Sequence, residues 1–463
     1  MVAGQAGDPG HGIGSGMTSD RLLSVEEALA VILGAIPGPT SPEWVHVGDA
    51  LGRVAAEPVR AATDLPPWDN AAMDGYALLA SDISGATETE PVSIRVIGDV
   101  AAGSPAIARP IGRGASVRIA TGARMPPGAD TVVQVELTTP ADGTGRPIGP
   151  RGRDAAGPPP ERCLVHAALT RGSSVRRAGG DLRHGDIVIA EGRAVDPAAV
   201  AILAGAGLAG LSVRRRPVVG ILATGDELRR PGEALGDAGI PDANGPALMA
   251  LVGAAGGDPR SLGIARDDLD DVRSRVCAGL AENPDLLVVS GGVSVGPYDH
   301  VRTAFAEYGT IDLWRVAVQP GKPFVFGTAA RTEGLPPALL FGLPGNPVST
   351  FVTFELFVRP ALRKLAGHDR LERPAERAVL LDETPKSPGR RAFVRVRVER
   401  DGRGEPLRDA HGRVQARLAG GTAGQGSHVL SALAAADALA VIPEAVEISP
   451  AGAEVVLRWL DRD

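Results

Sequence analysis

Cysteine is almost missing from this chain: Cys163 and Cys277 are the only two in 463 residues, and they stand far apart with no second cysteine near either. Neither a disulfide framework nor a zinc site is expected from them. No apolar run reaches the roughly 18 residues that a membrane span needs. The opening stretch lacks the basic start and apolar centre of a signal peptide. Basic residues are outnumbered 48 to 55, and the net charge of −7 speaks against general nucleic-acid binding, which calls for a basic face. Lysine stands only at 322, 364 and 386, so arginine supplies nearly all the positive charge. Aromatics are scarce at 3%, yet 44% of the residues are hydrophobic, enough for several cores. A soluble, cytoplasmic chain of about three or four domains is expected, with residues 1–19 a disordered tail.

What is present changes in texture along the chain. Ser24-Val25-Glu26-Glu27 is a capping box opening the helix SVEEALAVILGAI. After Asp64, short Val/Ile-rich runs such as PVSIRVIGDV, GASVRIATGA and GADTVVQVEL read as strands. A Gly/Pro/Arg-rich insertion, 138–163, looks like a mobile surface loop whose deletion the fold would tolerate. From 217, strand patterns (PVVGILATG, SLGIAR, DLLVVSGG, ALLFGLP) alternate with helical ones, and a long helix runs from Val348 to about Leu365. That alternation implies a doubly wound, mostly parallel α/β sheet. Beyond 370 short strands return, consistent with a small β-barrel. The expected domains are a discontinuous linker domain (20–63 and 178–215), a small β-rich domain (64–177), the α/β domain (216–368) and a C-terminal β-barrel (369–463).

One motif is set aside. Gly205-Ala-Gly207-Leu-Ala-Gly210 fits the dinucleotide fingerprint, but a helix precedes it and a strand follows, the reverse of what that fingerprint requires. The loops after the α/β strands are better placed, because such sheets bind ligands beyond the strands' carboxyl ends. These are Thr224-Gly225-Asp226-Glu227, then Ser290-Gly291-Gly292-Val293-Ser294 with Asp299 beyond, and Leu343-Pro344-Gly345-Asn346. Glycines there let backbone N–H groups approach an anion, and a helix start adds its positive dipole end. Ordinary turn chemistry is the plain alternative for any one such loop. Phosphate alone does not call for Glu227 and Asp299, whereas Mg²⁺ bridging phosphate oxygens does. Lys322, in Pro-Gly-Lys-Pro, is either a cation for an anion or a solvated surface lysine. The stretch DLPPWDNAAMDGYA (64–77) shows no periodicity, and its prolines hold two carboxylates, an amide and a tyrosine on a rigid loop.

Taken together, LPPWDNAAMDGYA, VRIATGARMPPGADTVVQVE, VVGILATGDEL, VSGGVSVGPYD, PGKPFVFG, FGLPGNPVS and GSHVL resemble the molybdopterin molybdenumtransferases, the MoeA family, with the related E domain of gephyrin. The motifs are collinear from about residue 20 to the C-terminus. The resemblance implies an elongated homodimer that takes adenylylated molybdopterin and molybdate, inserts molybdenum and releases AMP with Mg²⁺. It also implies an active cleft between the α/β domain of one subunit and a small domain of another. The adenylyltransferase of the preceding step is the further partner implied. Carried over by motif, the catalytic positions are Asp74, Glu227, Asp267, Asp299 and Lys322, with Glu227 and Asp299 on the metal. Thr121, Arg176, Asp181, Gly225, Ser290, Gly291, Gly292, Ser294, Pro344, Gly345, Asn346, Arg395 and Ser427 would hold the cofactor. Asp69 and Asn70 are either part of that site or a structural hinge. Two departures stand out: Gly180 where the family commonly has an acid, and Gln319 where it often has a lysine. The adenylyltransferase itself, which shares the α/β domain, and a gephyrin-like scaffold are the competing functions.

Overall fold

A computed structural model of the chain describes residues 22–105, 107, 109–153, 157–293 and 300–460. The expected tail, 1–19, lies outside them. The chain divides into two compact units, Pro42–Val213 and a larger one of Met1–Ser41 with Arg214–Asp463.

Helix α1 (Val25–Gly34) begins at the predicted cap: Glu27 N–H donates to Ser24 Oγ at 3.1 Å, and Ser24 N–H donates to the Glu27 carboxylate at 2.8 Å. It buries Val25, Ala28 and Ile32 among the aliphatics of the α/β sheet. Lys364 Nζ donates to Leu33 O at 2.7 Å and closes its last turn. The part of the expected linker segment 20–63 up to Ser41 thus belongs to the larger unit, while Pro42 onward lies with 178–213 in the smaller one. The apolar stripe at i, i+3 and i+7 is matched by the sheet's flank, and nothing in the local sequence names that partner.

The smaller unit carries a six-stranded sheet built from β1 (Gly75–Leu78), β2 (Val92–Val100), β3 (Ala115–Ile119), β4 (Thr131–Gln134), β5 (Thr138–Ala141) and β6 (Arg162–Val165), in the order β4-β1-β3-β2-β6-β5. Only β2 and β3 run parallel within it. Gly75 is required where β1 meets β4, because a Cβ there would sit 1.9 Å from Val133 O. The mobile-loop expectation for 138–163 fails at both ends. Thr138 pairs with Val165 and Pro140 with Cys163, and all four residues of β5 are buried. Pro140 is tolerated because β5 is an edge strand, where a missing N–H costs no ladder bond. Helix α2 (Pro197–Gly205), capped by Asp196, precedes the glycines of 205–210, and the strand Gly210–Arg214 follows. That order is the one that excluded a dinucleotide loop.

The larger unit contains the expected doubly wound sheet. Its strands are β7 (Val218–Thr224), β8 (Asp258–Ala265), β9 (Leu286–Ser290), β10 (Gly309–Trp314), β11 (Val325–Ala329) and β12 (Ala338–Leu343), ordered β8-β7-β9-β12-β11-β10. The first four are parallel, and β11 and β10 add antiparallel. Helices α1 and α3 (Asn244–Ala254) pack on one face with α6 (Pro347–Thr353). The other face takes α4 (Leu269–Ala281) and α5 (His300–Tyr308) through Val272, Val276, Val301 and Phe305. The expected long helix is α6 followed by a π turn at Phe354–Val358 and α7 (Arg359–Leu365). Five further strands, β13 (Ala375–Leu380), β14 (Arg391–Val398), β15 (Val414–Leu418), β16 (Ala438–Ile442) and β17 (Ala453–Trp459), close on one another as the small barrel. A two-residue strand, Val318–Gln319, runs parallel to the start of β14 and joins the sheet to the barrel. Among the described residues no helix is long and apolar enough to cross a membrane.

The amino ends of β7 and β9 are fastened by Asp285. Its buried carboxylate accepts from Arg215 at 2.8 and 3.0 Å, from Arg331 at 2.9 Å and from the Val218 amide at 2.8 Å. Burial alone would raise its pKa, but the hydrogen bonds from Arg215 and Val218 and the two guanidinium charges outweigh it and bring the group below its ordinary value. A depressed folded pKa gives stability that is complete above the unfolded value, near 3.9, and is lost as pH falls through the folded one. Asp285→Ala should therefore cost about 3–5 kcal/mol at neutral pH, read by denaturant unfolding, and should flatten the acid limb of the stability profile.

Candidate active site

The loops at the carboxyl ends of the parallel strands surround a cleft of about 600 Å³ lined by Thr224, Glu227, Asp242, Asn244, Asp267 and Asn346, with Gly291, Gly292, Pro344 and Gly345. Three of those loops are tied together by one side chain. Asn244 Nδ2 lies 2.7 Å from Ser290 Oγ and 2.7 Å from Gly345 O, so the start of α3 grips the loops after β9 and β12. Gly291 (φ 96°) lies over Thr224, and a Cβ there would fall 2.6 Å from the Thr224 carbonyl oxygen. Asn346 and Pro347 open α6, placing a helix N-terminus on the same rim.

The cleft is acidic. Asp267 N–H donates to Asp226 Oδ1 at 3.2 Å. Burial raises the Asp267 pKa above the ordinary range, and the negative charges of Glu227 and Asp226 add to the rise, against the hydrogen bond with Asp226 and the charge of His300.

A second cavity, of about 420 Å³, adjoins the first and shares Pro323, Pro344 and Asn346 with it. Its charged lining is entirely cationic: Lys322, Arg390 and Arg395, beside Gln319, Ser349, Thr384, Ser387, Gln425 and Ser427. Arg395 is 1% exposed. Its Nη2 donates to Gly424 O at 2.6 Å and Gly426 O at 3.0 Å, while Nε is buried with no partner. Burial without a carboxylate pulls its pKa down to about 10. Ser427 O accepts from the Val348 amide at 3.1 Å, which seats the barrel's GSHVL loop against the start of α6.

Asp74 belongs to the smaller unit. Its Oδ1 accepts from the Thr121 amide at 2.6 Å and from Thr121 Oγ1 at 2.8 Å, and these two bonds hold its carboxyl below the ordinary range. It lines a separate hollow of about 400 Å³ with Asp99 and Arg118. The proline-bounded loop before it is laced to residues 177–184. Asp69 pairs with Arg177 at 2.6 Å and accepts from the Ala178 amide at 2.8 Å, and Asp64 accepts from the His184 amide at 2.7 Å.

Three family models cover the chain: the MoeA N-terminal region (domain I and II) over 23–207, a probable molybdopterin binding domain over 220–364, and the MoeA C-terminal region (domain IV) over 377–457. A molybdopterin molybdenumtransferase from Haemophilus influenzae is 30% identical over 426 residues, which is 91% of this chain and 95% of the relative. Molybdopterin molybdenumtransferase 2 from Mycobacterium tuberculosis is 35% identical over 422 residues, 89% and 94% respectively. The chain belongs to the molybdopterin molybdenumtransferase family. A crystal structure of the molybdopterin biosynthesis moeA protein from Pyrococcus horikoshii OT3 matches with a TM-score of 0.73 and 28% identity, over 95% of this chain and all of that one, 100%.

Of the positions that the family motifs pointed to, the larger unit gathers Gly225, Glu227, Asp267, Ser290, Gly291, Gly292, Pro344, Gly345 and Asn346 about the acidic cleft. It places Lys322, Arg395 and Ser427 at the cationic cavity. Asp74, Thr121, Arg176 and Asp181 lie in the smaller unit, where Arg176 and Asp181 are exposed. Ser294 and Asp299 lie outside the described residues. Sequence reasoning passed over Asp242, Asn244 and Gln425. No spacing in the sequence marks Asn244, whose two partners lie 46 and 101 residues further on.

The Asp267 geometry carries its own test. An acid whose folded pKa is raised contributes stability that is complete below the unfolded value and is lost as pH rises through the folded one. Glu227→Gln removes one of the two like charges. It should bring the Asp267 titration, followed by carboxyl NMR, part of the way back toward about 3.9; an unmoved Asp267 would show that the Glu227 charge does not contribute.

Proposed function

We propose that the chain inserts molybdenum from molybdate into adenylylated molybdopterin and releases AMP, acting in the cytoplasm as a homodimer. The observation that carries this reading is the pair of adjoining cavities of opposite sign, one lined by carboxylates and one by cations, sharing a wall of Pro323, Pro344 and Asn346. A reaction between a phosphoanhydride-bearing pterin and a tetrahedral oxyanion needs two such compartments side by side.

The acidic cleft fits Mg²⁺. Its donors are the hard oxygens of Glu227 and Asp267. Such a cation takes one or two carboxylates and completes its shell with phosphate oxygens and water. When bound, Mg²⁺ neutralises charge on the leaving phosphate. Glu227 and Asp267 would hold it, and the backbone of Gly291 and Gly292 leaves room for a phosphate beside them. Lys322, Arg395 and Ser427 bind and orient the oxyanion. The buried, unpaired Nε of Arg395 is the group whose desolvation an anion would offset. The pairing of Asp74 with Thr121 keeps that carboxylate ionised and fixed, as a group presented to the partner subunit's cleft requires.

Nucleophilic catalysis is not part of this reading. The Cys163 thiol is buried and pushed up to about 12, and Cys277 lies on α4 and lines neither cavity.

Two measurements test it. AMP release from protein loaded with adenylylated molybdopterin should require molybdate, and Glu227→Ala or Asp267→Ala should slow it by roughly 10²–10³-fold. Release at the same rate without molybdate would end the proposal. For the shared cleft, verified heterodimers of Asp74→Ala and Glu227→Ala chains should recover activity that neither homodimer has, since one cleft is then intact; no recovery would place Asp74 outside the partner's site.

A further inference from the structure

The wall of the cationic cavity opposite the sheet is the loop Pro385–Arg390, of which Pro385, Ser387 and Arg390 line the space. It is short and polar, and it is held at Lys386, Ser387 and Arg390. Lys386 N–H donates to Glu447 O at 2.9 Å, and the Ser387 amide donates to Gln319 Oε1 at 2.9 Å. The Lys386 ammonium is folded back inside the turn, where it donates to Ser387 O at 3.2 Å, Arg390 O at 2.6 Å and Glu444 O at 3.2 Å. A cation that could pair with a nearby carboxylate is spent on three carbonyls. Burial correspondingly lowers its pKa, with the Glu444 and Glu447 charges acting the other way and Arg390 adding to the fall.

What that clamp fixes is the position of residue 390. The three arginines near Phe393 have different fates. Arg391 pairs with Glu26 and, at 3.1 Å, with Glu444. Arg395 spends its Nη2 on the carbonyls of Gly424 and Gly426 and keeps its Nε unpaired in the buried wall. Arg390 is half-buried at the cavity and takes no acidic partner among the described residues. No Asp or Glu lines the cavity to compete for it.

We infer that Arg390 is a direct ligand of the oxyanion, offering its forked N–H donors to a tetrahedral dianion, and that Lys386 is the positioning residue that holds it there. The inference rests on reading the cavity as the oxyanion site. A planar guanidinium with free donors binds two oxygens of such an anion at once, which a lysine at the same place cannot do. Gln319 serves the same end from the other side. Its amide oxygen, fixed by the Ser387 amide, secures the loop instead of contributing a charge, so recognition falls to the arginine.

The test uses the full chain and inorganic molybdate as the probe. By calorimetric titration, Arg390→Ala should weaken molybdate binding about 10- to 100-fold, the loss of a charge-assisted pair of bonds, with the melting temperature unchanged, and Arg390→Lys should fall between. Lys386→Met should raise KM for molybdate in the AMP-release assay with kcat within about twofold, and Lys386→Arg should restore part of the loss. Wild-type affinity in Arg390→Ala would overturn the ligand role. A Lys386→Met chain altered in kcat alone would overturn the positioning role. Wild-type protein that binds no molybdate would overturn both along with the cavity's assignment. Molybdate binding that depends on Arg390 in a protein whose AMP release ignores molybdate would instead remove the reaction and leave the anion site standing.

Discussion

Both cavities of the larger unit depend on two residues of backbone. Val318 and Gln319 run parallel to Arg391 and Ala392, and the Arg391 amide donates to Ala317 O at 2.9 Å. This ladder docks the barrel on the sheet. On one side of it Pro-Gly-Lys322 turns into the cationic cavity, and on the other β14 delivers Arg395 to the same space. Ionic contacts among exposed side chains would leave such a joint loose, since a surface pair contributes little and is screened by salt. Backbone pairing has no such weakness, and the burial of Phe393 in the sheet's aliphatic core seals it.

Two compartments of opposite charge, sharing three residues, would be expected to cancel one another if their charged groups could meet. They do not, because the shared wall is two prolines and an asparagine, which carry no charge and move little. Each compartment then keeps a field of its own sign. The raised Asp267 and the lowered Arg395 are the two ends of that separation: like charges crowd one side, and an unneutralised guanidinium is confined to the other.

The sheet and barrel were legible because period and punctuation agreed. Ser24 and Glu27 announced α1, and glycine loops followed three of the apolar strands. Where the reading failed, the deciding partner was remote in sequence. The attachment of α1 is set by the flank of the sheet, and β5 is a strand because Arg162–Val165 lies beside it, across twenty residues of loop-like composition. In the site, residues inside a glycine loop could be marked, but Asn244 could not. Its role is a pair of hydrogen bonds to two other loops, and spacing along the chain does not encode them. The charge of Arg395 was visible; that it faces carbonyls and no carboxylate was not.

The scarcity of lysine has a consequence for the chemistry of the surface. The three amines have separate employments: Lys364 closes α1, Lys386 is folded inside its own turn, and only Lys322 is exposed, at the mouth of the cationic cavity. Arginine is far less nucleophilic than a free amine because its guanidinium stays protonated. Within the described residues the most open ε-amino group is therefore the one at the cavity, so among the lysines acylating or carbonyl reagents meet Lys322 first. A composition that looks like a mere bias leaves a single addressable handle, set where an anion would shield it.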